Sequence, residues 1–265
     1  KDAAYTPEIA SEEKAEYERS FSKWKAASKA ARDAGMPRPR APRRPIDPRA
    51  HWHHPTVLFN GMIAPLIPYA IRGAIWYQGE TNAFTEESSA LYELQLRLLT
   101  TDWRDRWSQG DFPMAWVQLP FTSARSVAWA RIRESMRRAT DLPNTGMAIT
   151  LDLGEERLLH PKNKQAFAHR LALWARAQVY NENIAWSGPL PVRLRIKGSH
   201  ATILFQHTDG GLIAKNGAPL KGFEIQDGSG EWHPSEAAIN GNSVITSHAD
   251  IQNPTAVRYA WANHP

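Results

Sequence analysis

The central part of the chain alternates short apolar runs with longer stretches of helical periodicity. The apolar runs are typical of buried strands and lie at residues 72–77, 112–120 and 145–154. The spacing of the other hydrophobic positions predicts helices over residues 86–107, 126–140 and 160–181, with Pro161 in the first turn of the last one. Short apolar strands that alternate with helices indicate a parallel sheet covered on both faces, so the pattern predicts an α/β fold.

The chain before this region has a different character. Aromatic side chains recur at helical spacing over residues 11–35, where Ser11 can cap a helix and Gly35 can end it. Residues 36–48 contain five prolines, which remove amide donors and favour extended geometry in the residues before them. We therefore expect a helix followed by an extended linker.

After about residue 185 the chain consists of short, often alternating segments separated by Gly, Asn and Pro. This pattern predicts an antiparallel β unit, with Asp227-Gly228 at a hairpin turn. The chain is thus expected to divide into an N-terminal helix and linker, a core and a β-rich unit. The boundaries are residues 1–50, 51–184 and 185–265.

The composition of the chain argues against several classes of function. The 265 residues carry a formal net charge of +5, but no nucleic-acid-binding module accompanies the basic residues, so we expect no nucleic-acid partner. The chain has no cysteine, which excludes a thiolate nucleophile and cysteine-ligated metals. No apolar run reaches about 18 residues, so we expect no membrane partner.

Polar side chains follow all three predicted core strands. Gln78, Gly79, Glu80 and Asn82 follow the first strand, Gln118 ends the second, and Asp152 ends the third, shortly before His160. Ligands of parallel sheets bind beyond the carboxyl ends of the strands, so these groups could line a site. The alternative is that Gly79 makes a turn, Asn82 caps a helix and His160 lies at the surface.

His160 could serve as a general base, because a histidine titrates near neutrality and its neighbour Pro161 restricts the backbone. Amide groups and a glycine N–H nearby could hold a developing oxyanion, which together suggests acyl transfer. A serine nucleophile is not evident, since no Gly-x-Ser-x-Gly elbow occurs at a strand-to-helix turn. Ser229 lies in the predicted hairpin turn, and Ser199 lies between predicted strands.

A metal site is the other possibility that the sequence raises. His51, His53 and His54 are close in sequence, but no carboxylate or second histidine pair stands at ligand spacing, which favours a structural role. The nearby Asn60 could face the same cleft as the strand-end residues, or it could simply end a turn. We expect no metal and no cofactor.

Four segments together resemble the sialate O-acetylesterase family of SGNH-type carbohydrate esterases. They are HHPTVLFNGMIAPLIPYAIRGAIWYQGETNA, FPMAWVQLP, TGMAITLDLG and HPKNKQAFAHRLALWA. The β-rich tail is also similar, in GGLIAKNGAPLKGFEI and NPTAVRYAWA. The resemblance extends over nearly the whole chain from about residue 50.

The resemblance implies a flavodoxin-like three-layer SGNH hydrolase core with an appended antiparallel β unit. It implies serine-dependent removal of acetyl groups from sugars, with His160 as base. Gln78, Gly79, Glu80 and Asn82 would line the oxyanion or substrate site. The family's serine lies in a Gly-Gln-Ser-Asn-Met type block that this chain does not contain. We therefore expect the serine to come from a segment or chain that precedes Lys1.

One position departs from the family pattern. The family places an aspartate two or three residues before the histidine, where this chain has Leu158 and Arg157. Either Asp152, Glu155 or Glu156 orients His160 from another direction, or the enzyme works as a Ser–His dyad. Asp152 is the candidate acid among these, and the choice between such an acid and a dyad stays open.

Two functions remain open at this point. The first is a carbohydrate O-acetylesterase acting on acetylated sialic acid or on an acetylated plant polysaccharide, in a periplasmic or secreted location that the resemblance suggests. The second is a non-catalytic carbohydrate-binding protein on the same fold, which the missing serine block would favour.

Overall fold

The computed structural model describes residues 5–51, 54–122, 128–156 and 158–265. The chain divides into two compact units, Lys1–Tyr69 and Ala70–Pro265. The three-part division expected from the sequence stays a prediction.

The first unit contains one long helix, α1 (Pro7–Asp33). It starts one turn before the expected cap, because the hydroxyl of Thr6 accepts the amide N–H of Ile9 and Pro7 occupies the first turn. Ser11 therefore lies inside the helix. The residues after α1 form an irregular strand-free linker, as expected, and its Pro39 carbonyl accepts the indole N–H of Trp24 at 2.8 Å.

The rest of the first unit consists of short helical turns at Pro48–Ala50, Phe59–Ile63 and Ala64–Leu66. Asn60 lies in the second turn, where its amide N–H donates to the Thr56 carbonyl at 2.7 Å. His54 Nδ1 lies 2.8 Å from the carbonyl oxygen of Pro55. His53 lies outside the described residues.

The second unit begins with the predicted α/β core. Strands β1 (Ala74–Trp76), β2 (Met114–Val117) and β3 (Thr145–Ala148) pair in parallel, in the order β1-β2-β3. The helices are α2 (Glu86–Trp107), α3 (Trp129–Arg138) and α4 (Lys164–Gln178). The α/β fold class is confirmed, and α2 has the bounds that the hydrophobic spacing predicts.

Side chains that alternate along β2 divide the core into three layers. Trp116 packs with residues of α2 and α3, such as Leu96 and Ile132, on one face of the sheet. Ala115 and Val117 pack on the other face against three residues of α4, which are Phe167, Leu171 and Trp174. All are buried, as expected for a parallel sheet between helices.

The start of α4 differs from the prediction. The helix begins at Lys164, where the side chain of Asn163 accepts the amide N–H of Ala166, rather than at residue 160. Pro161 is buried and the amide N–H of Lys162 donates to the Glu155 carboxylate at 2.5 Å, so the backbone before Lys164 is held outside the helix. His160 therefore lies on a loop before the helix.

The predicted antiparallel β unit is confirmed. Its strands are β4 (Leu190–Lys197), β5 (His200–Gln206), β6 (Phe223–Gln226), β7 (Trp232–Pro234), β8 (Glu236–Asn240), β9 (Ser243–Ser247) and β10 (Ala256–Tyr259). They form two sheets, in the orders β4-β5-β9-β8 and β10-β6-β7. Asp227 and Gly228 lie between β6 and β7, as predicted, in a connection that spans residues 227–231.

The C-terminal residues contact the α/β core near the end of β2. His264 stacks on Phe121 with ring centroids 4.1 Å apart, and the guanidinium of Arg133 donates to the carbonyls of Ala260 and Ala262. Within the described part of the chain, every helix is too short or too polar to cross a bilayer.

Candidate active site

The carboxyl ends of the three parallel strands place their polar residues at one edge of the sheet. Gln78 follows β1, Gln118 follows β2, and Thr150 follows β3. The amide N–H of Gln118 donates to the Ala148 carbonyl at 3.0 Å, and the Thr150 hydroxyl donates to the Gln118 carbonyl. These bonds extend the sheet by one step and hold the strand ends together.

Gly79 makes the turn that directs the next residues across this edge. Its φ is +149°, a backbone conformation that glycine adopts at little cost. A Cβ at this position would lie 2.8 Å from Met136 Cε and 3.3 Å from Ile132 Cδ1, so the turn is packed against α3. A short helical turn over Glu80–Ala83 follows, closed by the bond from the Asn82 amide to the Gly79 carbonyl.

A chain of hydrogen bonds fixes the side chains of this turn. The Tyr92 hydroxyl lies 2.8 Å from the Gln78 carbonyl and 2.9 Å from Gln78 Oε1, and it accepts the indole N–H of Trp76. Gln78 Nε2 donates to Asn82 Oδ1 at 2.9 Å, and Asn82 Nδ2 donates to Gln95 Oε1 at 2.8 Å. Burial raises the pKa of Tyr92 to about 12, so its hydroxyl remains a donor at neutral pH.

The structure also brings the predicted base His160 to Glu80. His160 Nδ1 lies 3.3 Å from Glu80 Oε1. The Glu80 side chain is only 15% exposed, whereas the His160 side chain is 71% exposed and accessible to a reactant. Leu159 packs against the buried cluster that contains Ile132, and Pro161 is buried, so both neighbours anchor the imidazole.

The carboxylates considered as partners of His160 make other contacts. Asp152 forms a two-pronged ion pair with Arg170, with N–O distances of 2.6 and 2.7 Å. The hydrogen bonds from Arg170 hold the pKa of the Asp152 carboxyl below its usual range. Glu155 accepts the Lys162 amide, and Glu156 is exposed. A catalytic role for Asp152 stays a prediction.

Three further residues border this edge and were not anticipated. Burial raises the pKa of Tyr77 to about 12, and its ring stacks on Phe167 with centroids 5.4 Å apart. Lys164 Nζ lies 4.4 Å from the centroid of the Tyr77 ring and 3.4 Å from its hydroxyl. Tyr92 is the third. The sequence could have indicated Tyr92 only through its position near the start of α2, the helix that follows the glycine turn.

The two serines named as possible nucleophiles make other contacts. The Ser229 hydroxyl donates to Asp227 Oδ1 at 2.7 Å, and the Ser199 hydroxyl lies 3.2 Å from His200 Nδ1. Among the residues that the structure describes, no serine hydroxyl is hydrogen-bonded to His160. Asn60 belongs to the first unit, and its place in the site stays a prediction.

Comparisons with known proteins point to one group. A family model described as carbohydrate esterase, sialic acid-specific acetylesterase, matches residues 49–174, which include Gln78 and His160. The chain is 33% identical over 238 residues to a mouse sialate O-acetylesterase, covering 79% of this chain and 43% of the relative. It is 30% identical over 236 residues to the human sialate O-acetylesterase, with 79% and 44% covered.

A solved structure is also similar. A carbohydrate acetylesterase from Xanthomonas citri shares 36% identity with a TM-score of 0.75, covering 80% of this chain and 50% of that one. The chain thus spans about half the length of the relatives that it matches.

Proposed function

Because this chain belongs to the sialate O-acetylesterase family of carbohydrate esterases, we propose that it forms part of an enzyme that removes O-acetyl groups from sugars. The observation that carries the proposal is the contact between the imidazole of His160 and the carboxylate of Glu80. The contact lies beside the glycine turn, whose backbone N–H and side-chain amide groups are the proposed oxyanion donors.

The proposed reaction proceeds through an acyl-enzyme. His160 Nε2 takes the proton of a serine hydroxyl as its oxygen attacks the acetyl carbonyl carbon. The oxyanion is stabilised by donors of the turn, of which the backbone N–H of Gly79 and the side-chain amide of Asn82 are the candidates. Collapse releases the sugar hydroxyl with the proton from His160. Water then attacks the acetyl-serine in the same way and acetate leaves.

We assign the orienting role to Glu80. A carboxylate at the Nδ1 side of an imidazole holds its tautomer and stabilises the positive charge that the ring gains on accepting a proton. Glu80 occupies this position with an Nδ1–Oε1 distance of 3.3 Å, whereas the charge of Asp152 is matched by Arg170. Glu80 would thus replace the aspartate that the family pattern places before the histidine.

The serine is proposed to come from a segment N-terminal to this chain. Within the described residues, β1 pairs only with β2, so one edge of the strand is unpaired. Ile75 in the middle of β1 is 71% exposed, although its neighbour in register, Ala115, is fully buried. An added parallel strand with a covering helix would bury Ile75 and would end at the same edge as Gln78.

The proposal includes two candidate substrate classes. Acetylated sialic acid and acetylated plant polysaccharide both remain candidates, since the relatives are a sialate O-acetylesterase and a carbohydrate acetylesterase. A periplasmic or secreted location stays a prediction.

The test is acetate release from both substrate classes by the protein together with its serine-bearing segment, identified by intact mass and N-terminal sequencing. His160→Ala should lower turnover by about 10³-fold or more. His169→Ala, an exposed histidine on α4, is the matched control and should keep full activity. Full activity of the His160→Ala protein would refute the mechanism. Acetylated sugar binding without acetate release from the assembled protein would instead support the binding-only alternative.

A further inference from the structure

The connection between β6 and β7 gathers two carboxylates and an imidazole far along the chain from the esterase residues. Asp227, Glu231 and His233 each offer a ligand atom, and all of these atoms lie within 4.8 Å of one another. The connection is closed by the bond from the Asp227 amide to the Glu231 carbonyl at 3.0 Å. His233 is on β7 opposite Ile225, so strand pairing fixes its backbone.

The carboxylate of Asp227 is held in a single orientation. Its Oδ1 accepts the Ser229 amide at 2.8 Å, the Ser229 hydroxyl at 2.7 Å and the Glu231 amide at 3.0 Å. These contacts leave Oδ2 directed at His233 Nε2, 2.9 Å away.

The distances suit two ligands of one cation. Donor atoms about 2.1 Å from a metal and about 90–110° apart lie about 3.0–3.4 Å from each other. The Oδ2–Nε2 distance of 2.9 Å is close to this range. A metal would take the place of the proton on Nε2, and that proton would move to Nδ1 of the neutral ring. Glu231 is exposed and can turn toward the same point.

The cluster borders an open cleft of about 520 Å³, whose lining includes Asp227, His233, His248 and Asp250. His248 Nδ1 accepts the Asp250 amide at 3.2 Å, so the proton of its neutral ring is on Nε2. His248 is therefore not included among the proposed ligands. The cleft leaves room for water molecules to complete a coordination shell.

We propose that Asp227, Glu231 and His233 bind one divalent transition-metal ion, with Zn²⁺ as the probe. One imidazole with two carboxylates suits such ions, whereas Ca²⁺ takes oxygen ligands only. The ion would join the end of β6 to β7 and so stabilise the hairpin against local opening. The proposal is independent of the esterase function.

The experiment is calorimetric titration of the metal-free protein with ZnCl₂, followed by thermal unfolding with and without Zn²⁺. We expect one equivalent of Zn²⁺ to bind at this cluster and to raise the unfolding midpoint. His233→Gln should weaken this binding by about 100-fold or more, because it removes the nitrogen ligand. Glu231→Gln changes an exposed side chain and should weaken it without affecting the fold.

Two control variants each remove one histidine outside the cluster. His200→Gln changes an exposed position on β5, and His54→Gln tests the histidines of the first unit. Both should leave the binding that depends on His233 unchanged. Wild-type Zn²⁺ affinity in the His233→Gln protein, or equal competition by Ca²⁺, would overturn the proposal. An absence of Zn²⁺ binding would mean that Asp227 and His233 form a hydrogen bond only.

Discussion

At the residue scale, the chemistry of the sheet edge depends on how Glu80 is held beside His160. The Gly79 turn sets the backbone direction of Glu80, and burial leaves its side chain little freedom. The imidazole contacts Glu80, and its chain neighbours Leu159 and Pro161 are packed into the protein. A fixed acid beside an exposed base is the arrangement expected where the reactant approaches from solvent.

The first prediction separates the candidate acids. Glu80→Gln should lower kcat by about 10²–10⁴-fold with a small change in KM, because the amide no longer stabilises the charged imidazole. Asp152→Asn and Glu156→Gln should change kcat by less than about 5-fold if Glu80 is the orienting group. Steady-state kinetics of the serine-containing enzyme measure this. A large loss confined to Asp152→Asn would assign the role to Asp152 instead.

The second prediction concerns the backbone of Gly79. Gly79→Ala should lower the free energy of unfolding by about 2–3 kcal/mol, because its positive φ is unfavourable for alanine and its Cβ approaches Met136. Gly110→Ala is the control, since Gly110 also has a positive φ but has open space around it. That change should cost about 1 kcal/mol. Urea unfolding measures both, and equal losses would show that the contact with α3 is unimportant.

At the element scale, a buried arginine ties α2 to the loops that precede β2 and β3. Arg104 is 5% exposed and donates to the Phe112 carbonyl at 2.9 Å and the Pro143 carbonyl at 2.7 Å. Burial lowers the pKa of its guanidinium, but these carbonyls satisfy its N–H groups. The helix is also capped at its start, where Thr85 and Ser88 exchange hydrogen bonds.

The third prediction tests the hydrogen bonds of Arg104. Arg104→Met should destabilise the protein by about 3 kcal/mol, because it leaves the buried Phe112 carbonyl and the part-buried Pro143 carbonyl without their charged donor. Arg106→Met, two residues later on the same helix, removes the exposed pair with Asp102 and should cost less than about 1 kcal/mol. Denaturant unfolding of the two variants gives the comparison. A similar cost for both would mean that the buried bonds add little.

At the scale of the whole molecule, stability should depend on alkaline pH through groups buried in the core. Burial raises the pKa of Tyr92 to about 12 from its ordinary 10.0, so the folded state favours the neutral phenol. Between these values unfolding releases a proton from Tyr92, and stability therefore falls as pH rises. Arg133 has the opposite sign, because burial lowers its pKa to about 10 and its folded form loses the proton first.

The fourth prediction isolates the tyrosine. Between pH 10 and 12 Tyr92 should contribute a loss of about 3 kcal/mol, the equivalent of its pKa shift. Tyr92→Phe should remove this contribution and leave that of Tyr77, whose pKa burial also raises to about 12, although the change also costs about 1 kcal/mol at neutral pH through the lost bonds to Gln78. Tyr180→Phe, at an exposed position, should keep the slope. Unfolding curves at several pH values measure it, and identical slopes in all three proteins would contradict the assignment.

The sequence by itself determined the features that depend on local periodicity. The strand-and-helix alternation, the bounds of α2 and the antiparallel tail follow from spacing that each segment carries within its own residues. The polar block after β1 was recognisable because strand ends of parallel sheets are the usual place for a site. The predicted start of α4 was wrong. Pro161 suits the first turn of a helix by its local preference, but the bond from the Lys162 amide to the Glu155 carboxylate holds this backbone outside the helix.

The pairings across the chain were decided only by the tertiary structure. Glu80 meets His160 and Asp152 meets Arg170 because the sheet brings the ends of β1 and β3 to one edge, and no local pattern records which carboxylate reaches which basic side chain. Tyr92 joins Gln78 because α2 packs over β1. These contacts depend on the direction of side chains from separate elements, and packing of the whole core sets that direction.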